Sequence, residues 1–154
     1  MIQKIFKHKT QIFLVVLAIL GFAIIRNYEE VLFYDPFLIF FKNEFSHQQL
    51  PDFVEWKLLF HLFLRYVVNT ILSLFIIYIL FRNKGFLKLA SVLYIVFFVI
   101  LMLSFLVVIH FFSDQLMVLF YIRRFIIQPL FLLLFIPGFY FQQQDLKKQN
   151  SEIV

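Results

Sequence analysis

Residues 57–81 read KLLFHLFLRYVVNTILSLFIIYILF, and after Lys57 the only formal charge in this stretch is that of Arg65. A helix needs about 20 predominantly apolar residues to cross the roughly 30 Å of hydrocarbon in a bilayer, and this run is long enough. Because hydrocarbon offers the backbone no hydrogen-bonding partner, a segment inside it is expected to be helical. The stretch therefore predicts a transmembrane α-helix.

Three more apolar runs of similar length, at about 11–33, 86–112 and 116–141, extend this prediction to the whole chain. The 154 residues are 63% hydrophobic and 15% charged, whereas a soluble domain of this size leaves roughly 30–40% of its unfolded surface in water. We predict an all-α polytopic membrane protein, with four transmembrane helices in a single domain over 1–154 and a polar cytoplasmic tail at 142–154. The first run is expected to be an uncleaved anchor, because Arg26-Asn27-Tyr28-Glu29 stands where a small-residue cleavage site would lie.

The distribution of Lys and Arg between the predicted loops indicates the orientation. If the chain crosses four times, one side carries eight basic residues: Lys4, Lys7, Lys9, Arg82, Lys84, Lys88, Lys147 and Lys148. The other side carries Arg26, Lys42 and Lys57 together with most of the acids. Cytoplasmic loops are enriched in Lys and Arg, so both termini are expected in the cytoplasm and the protein in a bacterial inner membrane. The net charge of +5 is then explained by basic residues that flank the spans and orient the chain, and no nucleic-acid partner is expected.

The largest predicted extramembrane piece, at about 34–56, lies on the outer side. Asp35 followed by Pro36 is typical of a helix N-cap followed by proline at the first helical position. The apolar residues 37–41 that follow predict a short helix in the outer interface. Asp52 and Glu55 have the spacing of a capping box at the start of the second span.

Polar side chains within the predicted spans are the candidate functional residues, because a charge near the bilayer centre costs at least about 2.5–3.5 kcal/mol. Arg65, Arg123 and Arg124 are expected in one layer of the outer leaflet. Neighbours at helical i,i+4 spacing extend the cluster, which comprises His61, Arg65, Asn69, Ser73, Arg123, Arg124 and Gln128. Ser73 is expected to bond its own helix backbone, and kinks are expected at Pro129 and Pro137.

The candidate counter-charges are Glu29, Glu30 and Asp35, although Arg26 has helical spacing to both glutamates and could share them. Three interpretations of the arginines stay open. They could form an internal ion-pair network, they could meet the polar surface of a partner membrane protein, or they could hold the phosphate of an anionic lipid through forked donors.

The sequence contains few other patterns that indicate catalysis or metal binding. The chain has no cysteine, so disulfides and thiolate chemistry are excluded. The four histidines show no metal-ligand spacing, Ser73 has no nucleophile-elbow context, and the three glycines are scattered. We predict no catalytic residue, no metal and no cofactor.

Three stretches of the chain form recognisable motifs: RNYEEVLFYDPF at 26–37, RYVVNT at 65–70 and YIRRFIIQPLF at 121–131, with Ile136-Pro137 and Tyr140 beyond them. Together they resemble the exosortase F system-associated membrane proteins of Bacteroidetes. The resemblance implies a companion of an exosortase, a polytopic enzyme thought to process C-terminal sorting tails through Cys, Arg and His. Without a cysteine this chain cannot be that enzyme itself.

The function implied by the resemblance is a non-catalytic accessory protein that stabilises or assists an exosortase-like membrane partner. The alternative is a membrane enzyme or carrier that binds a lipid phosphate through Arg65, Arg123 and Arg124.

Overall fold

The computed structural model describes the backbone of residues 2–43 and 50–152, and the side chains of residues 9–43, 50–146, 148 and 149. Several side chains that entered the sequence predictions lie outside this part: Lys4, Lys7, His8, Glu44, His47 and Lys147. Every regular element in the described residues is an α-helix, which confirms the predicted all-α class. The helices are α1 Ile2–Asn27, α2 Glu29–Leu32, α3 Pro36–Phe40, α4 Glu55–Phe81, α5 Lys84–Phe111, α6 Leu116–Ile127 and α7 Leu130–Glu152.

Three of these helices, α1, α4 and α5, are long and apolar enough to cross a membrane. Helices α6 and α7, which are bent relative to each other, are long and apolar enough only when they are taken together. The described residues therefore contain three membrane-spanning candidates, or four if the bent pair is one span. Large apolar side chains face outward along these helices, including Phe13, Ile95 and Leu133, each about two-thirds exposed. Continuous apolar surface of this kind is unusual on a soluble protein and is typical of a membrane protein.

Helix α4 occupies the centre of the bundle, where it packs against α1, α5, α6 and α7. Its polar residues Arg65, Asn69 and Ser73 are all buried. Aromatic rings from α5 and α7 also fill the core, with Phe97 stacked on Phe131 at 4.3 Å and Phe86 stacked on Phe139 at 5.0 Å between centroids. The polar stripe of α4 therefore points into the protein and away from lipid.

The run at 116–141 is interrupted by a break between α6 and α7. Gln128 is extended, with φ −109° and ψ 142°, as expected for a residue before proline, and the two helices differ in direction by 59°. Helix α7 then continues through Pro137 to Glu152. The predicted polar tail at 142–154 is therefore helical as far as Glu152.

One of the two predicted helix starts is confirmed and the other is wrong. Asp35 is the N-cap residue of α3 and Pro36 follows it at the start of the helix, as predicted, but the Asp35 side chain makes no capping hydrogen bond, because its carboxylate contacts arginines elsewhere in the bundle. Helix α4 begins at Glu55 with Val54 in the capping position, so Asp52 and Glu55 do not form a capping box.

The short helix α3 is packed into the protein. Phe37 is fully buried, with its ring 6.4 Å from that of Phe105 on α5 and 5.1 Å from that of Phe53. Ile39, on the opposite side of the turn, is 63% exposed. This packing holds the segment between α1 and α4 over one end of the bundle and brings Asp35 beside the arginines.

Candidate functional site

Four charged side chains from separate segments form a continuous buried network. Arg65 of α4 pairs with Glu29 of α2 and lies 3.6 Å from a carboxylate oxygen of Asp35. Arg123 of α6 donates from Nε to both oxygens of Asp35, at 3.2 and 3.1 Å, and also pairs through its Nη2. Two guanidinium groups and two carboxylates thus alternate, and they cancel in formal charge.

Asp35 is the centre of this network, because its carboxylate is shared by Arg65 and Arg123. The side chains of all three residues are at most 4% exposed. Aromatic rings add to the packing, with the guanidinium of Arg65 5.7 Å from the ring of Phe33 and that of Arg123 5.8 Å from the ring of Phe41, both within cation–π range. The network joins α2, α4, α6 and the segment before α3.

A second polar contact joins α4 to the break between α6 and α7. Asn69 donates from Nδ2 to the carbonyl oxygen of Ile127, the last residue of α6, at 2.7 Å. A helix leaves its last carbonyls without partners in its own backbone, so Asn69 supplies a donor that the interrupted helix lacks. Ser73 donates to the carbonyl of Asn69 in its own helix at 2.7 Å, as predicted.

Beside the network lies a crevice of about 200 Å³. We call it the basic crevice, because four of its lining residues are cations: Arg26, Lys42, Arg123 and Arg124. Lys42 pairs with Glu30 at 2.5 Å on the surface. Arg124 donates from Nε to Gln128 Oε1 at 3.1 Å. Among the ion pairs of the described residues, none involves Arg26 or Arg124.

The structure divides the residues of the predicted cluster into three groups. Arg65 and Arg123 enter the buried network, Asn69 and Ser73 lie below it on α4, and Arg124 and Gln128 line the basic crevice. His61 lies outside these groups, between the rings of Phe33 and Tyr34 at centroid distances of 6.5 and 6.3 Å.

The candidate counter-charges also divide. Glu29 and Asp35 face the buried arginines, whereas Glu30 contacts Lys42. The pairing of Arg26 with Glu29 or Glu30 that their spacing suggested is absent from the described ion pairs, because tertiary contacts take both glutamates. Sequence reasoning placed Arg26 only as a partner of these acids, so it missed the position of Arg26 in the crevice.

The two described histidines do not form a metal site. His110 contacts Glu55 at 3.0 Å through Nε2, away from the aromatic surroundings of His61. No group of three or more metal-ligating side chains occurs in the part of the chain that the structure describes.

The described residues form an all-helical bundle that has three or four candidate membrane-spanning helices and a buried charge network whose formal charges cancel. Comparison of the chain with family models, with curated proteins and with solved structures gives no match.

Proposed function

We propose that this chain is a non-catalytic accessory membrane protein of an exosortase-type sorting system, which binds and stabilises the sorting enzyme. One observation carries the proposal. The three stretches that resemble the exosortase-associated family, 26–37, 65–70 and 121–131, are far apart in sequence, yet they meet in the structure. Glu29, Asp35, Arg65 and Arg123 form the buried network, and Asn69 bonds the carbonyl of Ile127. Motif residues that contact one another support a shared fold as the reason for the resemblance.

The accessory role is supported by what the arginines contact. Arg65 and Arg123 face Glu29 and Asp35 inside the chain, and a residue whose charge is compensated in this way acts by holding helices together. A partner would then meet the outer surface of a preassembled bundle. The lipid-facing apolar side chains of α1 and α5 provide that surface for another membrane protein.

The proposed topology has four spans, with α6 and α7 together forming a broken fourth span and both termini in the cytoplasm of a bacterial inner membrane. Helix α3 then lies at the outer interface. The distribution of Lys and Arg supports this orientation, and half-helices that break inside a membrane are tolerated where other protein groups satisfy the freed backbone. Asn69 satisfies the carbonyl of Ile127 in this way.

The proposal is tested by purifying a tagged copy from its native membrane in mild detergent and identifying the proteins that accompany it. We expect an exosortase-like enzyme in stoichiometric amount, and a fall in the abundance of that enzyme and in tail processing when the gene is deleted. Complementation with the unaltered chain should restore both. Unchanged enzyme abundance and unchanged processing in the deletion strain would refute the accessory role.

A further inference from the structure

We propose that the basic crevice and an adjoining apolar groove together bind one membrane lipid that carries a phosphate head group. Arg26 and Arg124 hold the phosphate, and one acyl chain lies in the groove between α1 and α7. The inference does not depend on an exosortase partner, since it concerns only the surfaces of this chain. The proposed site differs from the lipid-phosphate site through Arg65, Arg123 and Arg124 that the sequence suggested. Arg65 and Arg123 already have carboxylate partners, so they do not serve as the phosphate ligands here.

The charges of the network and the crevice leave a cationic excess. Five cations, Arg26, Lys42, Arg65, Arg123 and Arg124, surround three carboxylates, those of Glu29, Glu30 and Asp35. Each carboxylate contacts Lys42, Arg65 or Arg123. Of these five cations, Arg26 and Arg124 are therefore the two that have no acid among the described ion pairs, and both line the same crevice.

Two exposed arginines in one crevice match the chemistry of a phosphate. The guanidinium group is planar and presents its N–H donors as a fork, which binds phosphate oxygens in pairs and with charge assistance. Gln128 lies beside them and accepts from Arg124 Nε at 3.1 Å, which orients that guanidinium and leaves its terminal nitrogens for a ligand.

The apolar groove continues directly from the crevice. Its volume is about 410 Å³, and Arg26 and Gln128 line both cavities. All its other lining residues are apolar, among them Ile19 and Phe22 on α1 and Leu132 and Leu133 on α7. This volume falls within the range of about 300–1,000 Å³ that is typical of ligand sites.

The joint shape favours a lipid over a free anion. A free phosphate would use the cationic end and leave the apolar groove unfilled, whereas an amphiphile fills both. Ile19 is 54% exposed and Leu133 is 67% exposed, so the groove is open on the side that faces hydrocarbon, and a lipid can enter from the bilayer.

The test measures lipid retention by native mass spectrometry after the whole chain is released from vesicles of phosphatidylglycerol and phosphatidylcholine. We expect the unaltered chain to retain phosphatidylglycerol, and the double variant Arg26→Gln with Arg124→Gln to retain at least about tenfold less, a loss of about 1.4 kcal/mol in binding. The matched control is Lys84→Gln with Lys88→Gln, which removes the same charge from two exposed residues at the start of α5. This control should retain lipid as the unaltered chain does.

A third variant tests the groove by itself. Ile19→Trp places a bulky ring in the groove without altering any charge, and we expect it to lower retention about as much as the arginine variant. If the arginine variant does not fold, Ile19→Trp decides the question. Equal retention by the arginine variant and the unaltered chain would overturn the site, as would an equal loss in the lysine control. If Ile19→Trp retained lipid normally and inorganic phosphate displaced that lipid, the groove would not hold an acyl chain. The proposal of a lipid ligand would then be wrong, and the arginines would bind a free anion.

Discussion

Asp35 is the residue on which the charge network depends most, because its carboxylate faces two buried guanidinium groups. The Asp35→Asn variant would leave Arg65 with a single carboxylate partner and Arg123 with none. Removing one partner of a buried ion pair costs about 3–5 kcal/mol. We expect this variant to lower the thermal unfolding midpoint in detergent more than any other single neutralisation in the network.

The glutamates of the same region provide graded controls. Among the ion pairs of the described residues, the Glu29 carboxylate pairs with Arg65 alone, so Glu29→Gln should destabilise the protein less than Asp35→Asn. Glu30 pairs with Lys42 on the surface, where both side chains are more than half exposed, and exposed pairs contribute only about 0–1 kcal/mol. Glu30→Gln should therefore leave the midpoint nearly unchanged. A midpoint for Asp35→Asn equal to that of Glu30→Gln would contradict the shared role of Asp35.

The sequence predicted which kinds of residue form the network better than it predicted how they pair. The cost of charges in hydrocarbon singled out Arg65, Arg123 and Arg124, of which Arg124 lies outside the network. The shortage of acids singled out Glu29, Glu30 and Asp35, of which Glu30 lies outside it. Partners predicted from local sequence spacing were wrong where a tertiary contact takes the same side chain. Asp35 has the sequence context of a helix cap, yet its carboxylate contacts arginines from two other helices, and no local pattern contains that information.

At the level of elements, the break between α6 and α7 depends on a donor from another helix. Asn69→Leu would remove the hydrogen bond to the Ile127 carbonyl and leave that oxygen unsatisfied, which costs about 1–3 kcal/mol for a buried group. We expect a lower unfolding midpoint. Ser91→Ala is the matched control, because the Ser91 hydroxyl bonds the carbonyl of Leu87 in its own helix. Equal effects of the two variants would show that the cross-helix bond has no special role.

Two glycines give a second prediction for the helices. An added Cβ at Gly138 in α7 meets nothing within 4 Å, whereas at Gly85 it comes within 3.0 Å of Asn83 Oδ1, the oxygen that caps α5. Alanine is favoured over glycine inside a helix by about 0.5–1 kcal/mol. Gly138→Ala should therefore raise the unfolding midpoint, and Gly85→Ala should not. If Gly85→Ala raised the midpoint and Gly138→Ala did not, the space around each added Cβ would not determine the effect of the substitution.

The positions of the helices were readable from sequence because hydrophobic length is a local property. The second and third runs were predicted at 57–81 and 86–112, and α4 and α5 cover Glu55–Phe81 and Lys84–Phe111. Pro129 indicated an interruption in the last run, since proline removes a backbone donor. The 59° change of direction depends on how α6 and α7 pack against α4 and α5, and proline alone does not specify such an angle.

One central helix connects the polar and apolar parts of the structure. Helix α4 carries Arg65 and Asn69 toward α2 and α6, while Tyr66 on the same helix donates to the carbonyl of Tyr94 on α5 at 2.7 Å. Helix α1 packs on α4 and leaves a groove toward α7. The arrangement of helices around α4 could not be predicted, because four apolar helices of similar length can be ordered in several ways.

The number of membrane crossings can be measured directly because the chain has no cysteine of its own. Single substitutions Asp52→Cys, Lys84→Cys and Gln149→Cys lie at exposed positions between α3 and α4, at the start of α5 and near the end of α7. With four spans and cytoplasmic termini, a membrane-impermeant maleimide added to spheroplasts should label only the Asp52→Cys variant. The other two should react only after the membrane is permeabilised.

The position of Gln149 distinguishes a broken span from a re-entrant pair. If α6 and α7 enter and leave on the same side, Gln149→Cys becomes accessible from outside together with Asp52→Cys, while Lys84→Cys stays protected. In that case Lys147 and Lys148 would lie outside and the Lys and Arg asymmetry that orients the chain would weaken. Protection of Gln149→Cys instead means that the 59° break lies within a helix pair that crosses the bilayer, with the Asn69 bond to Ile127 inside the membrane.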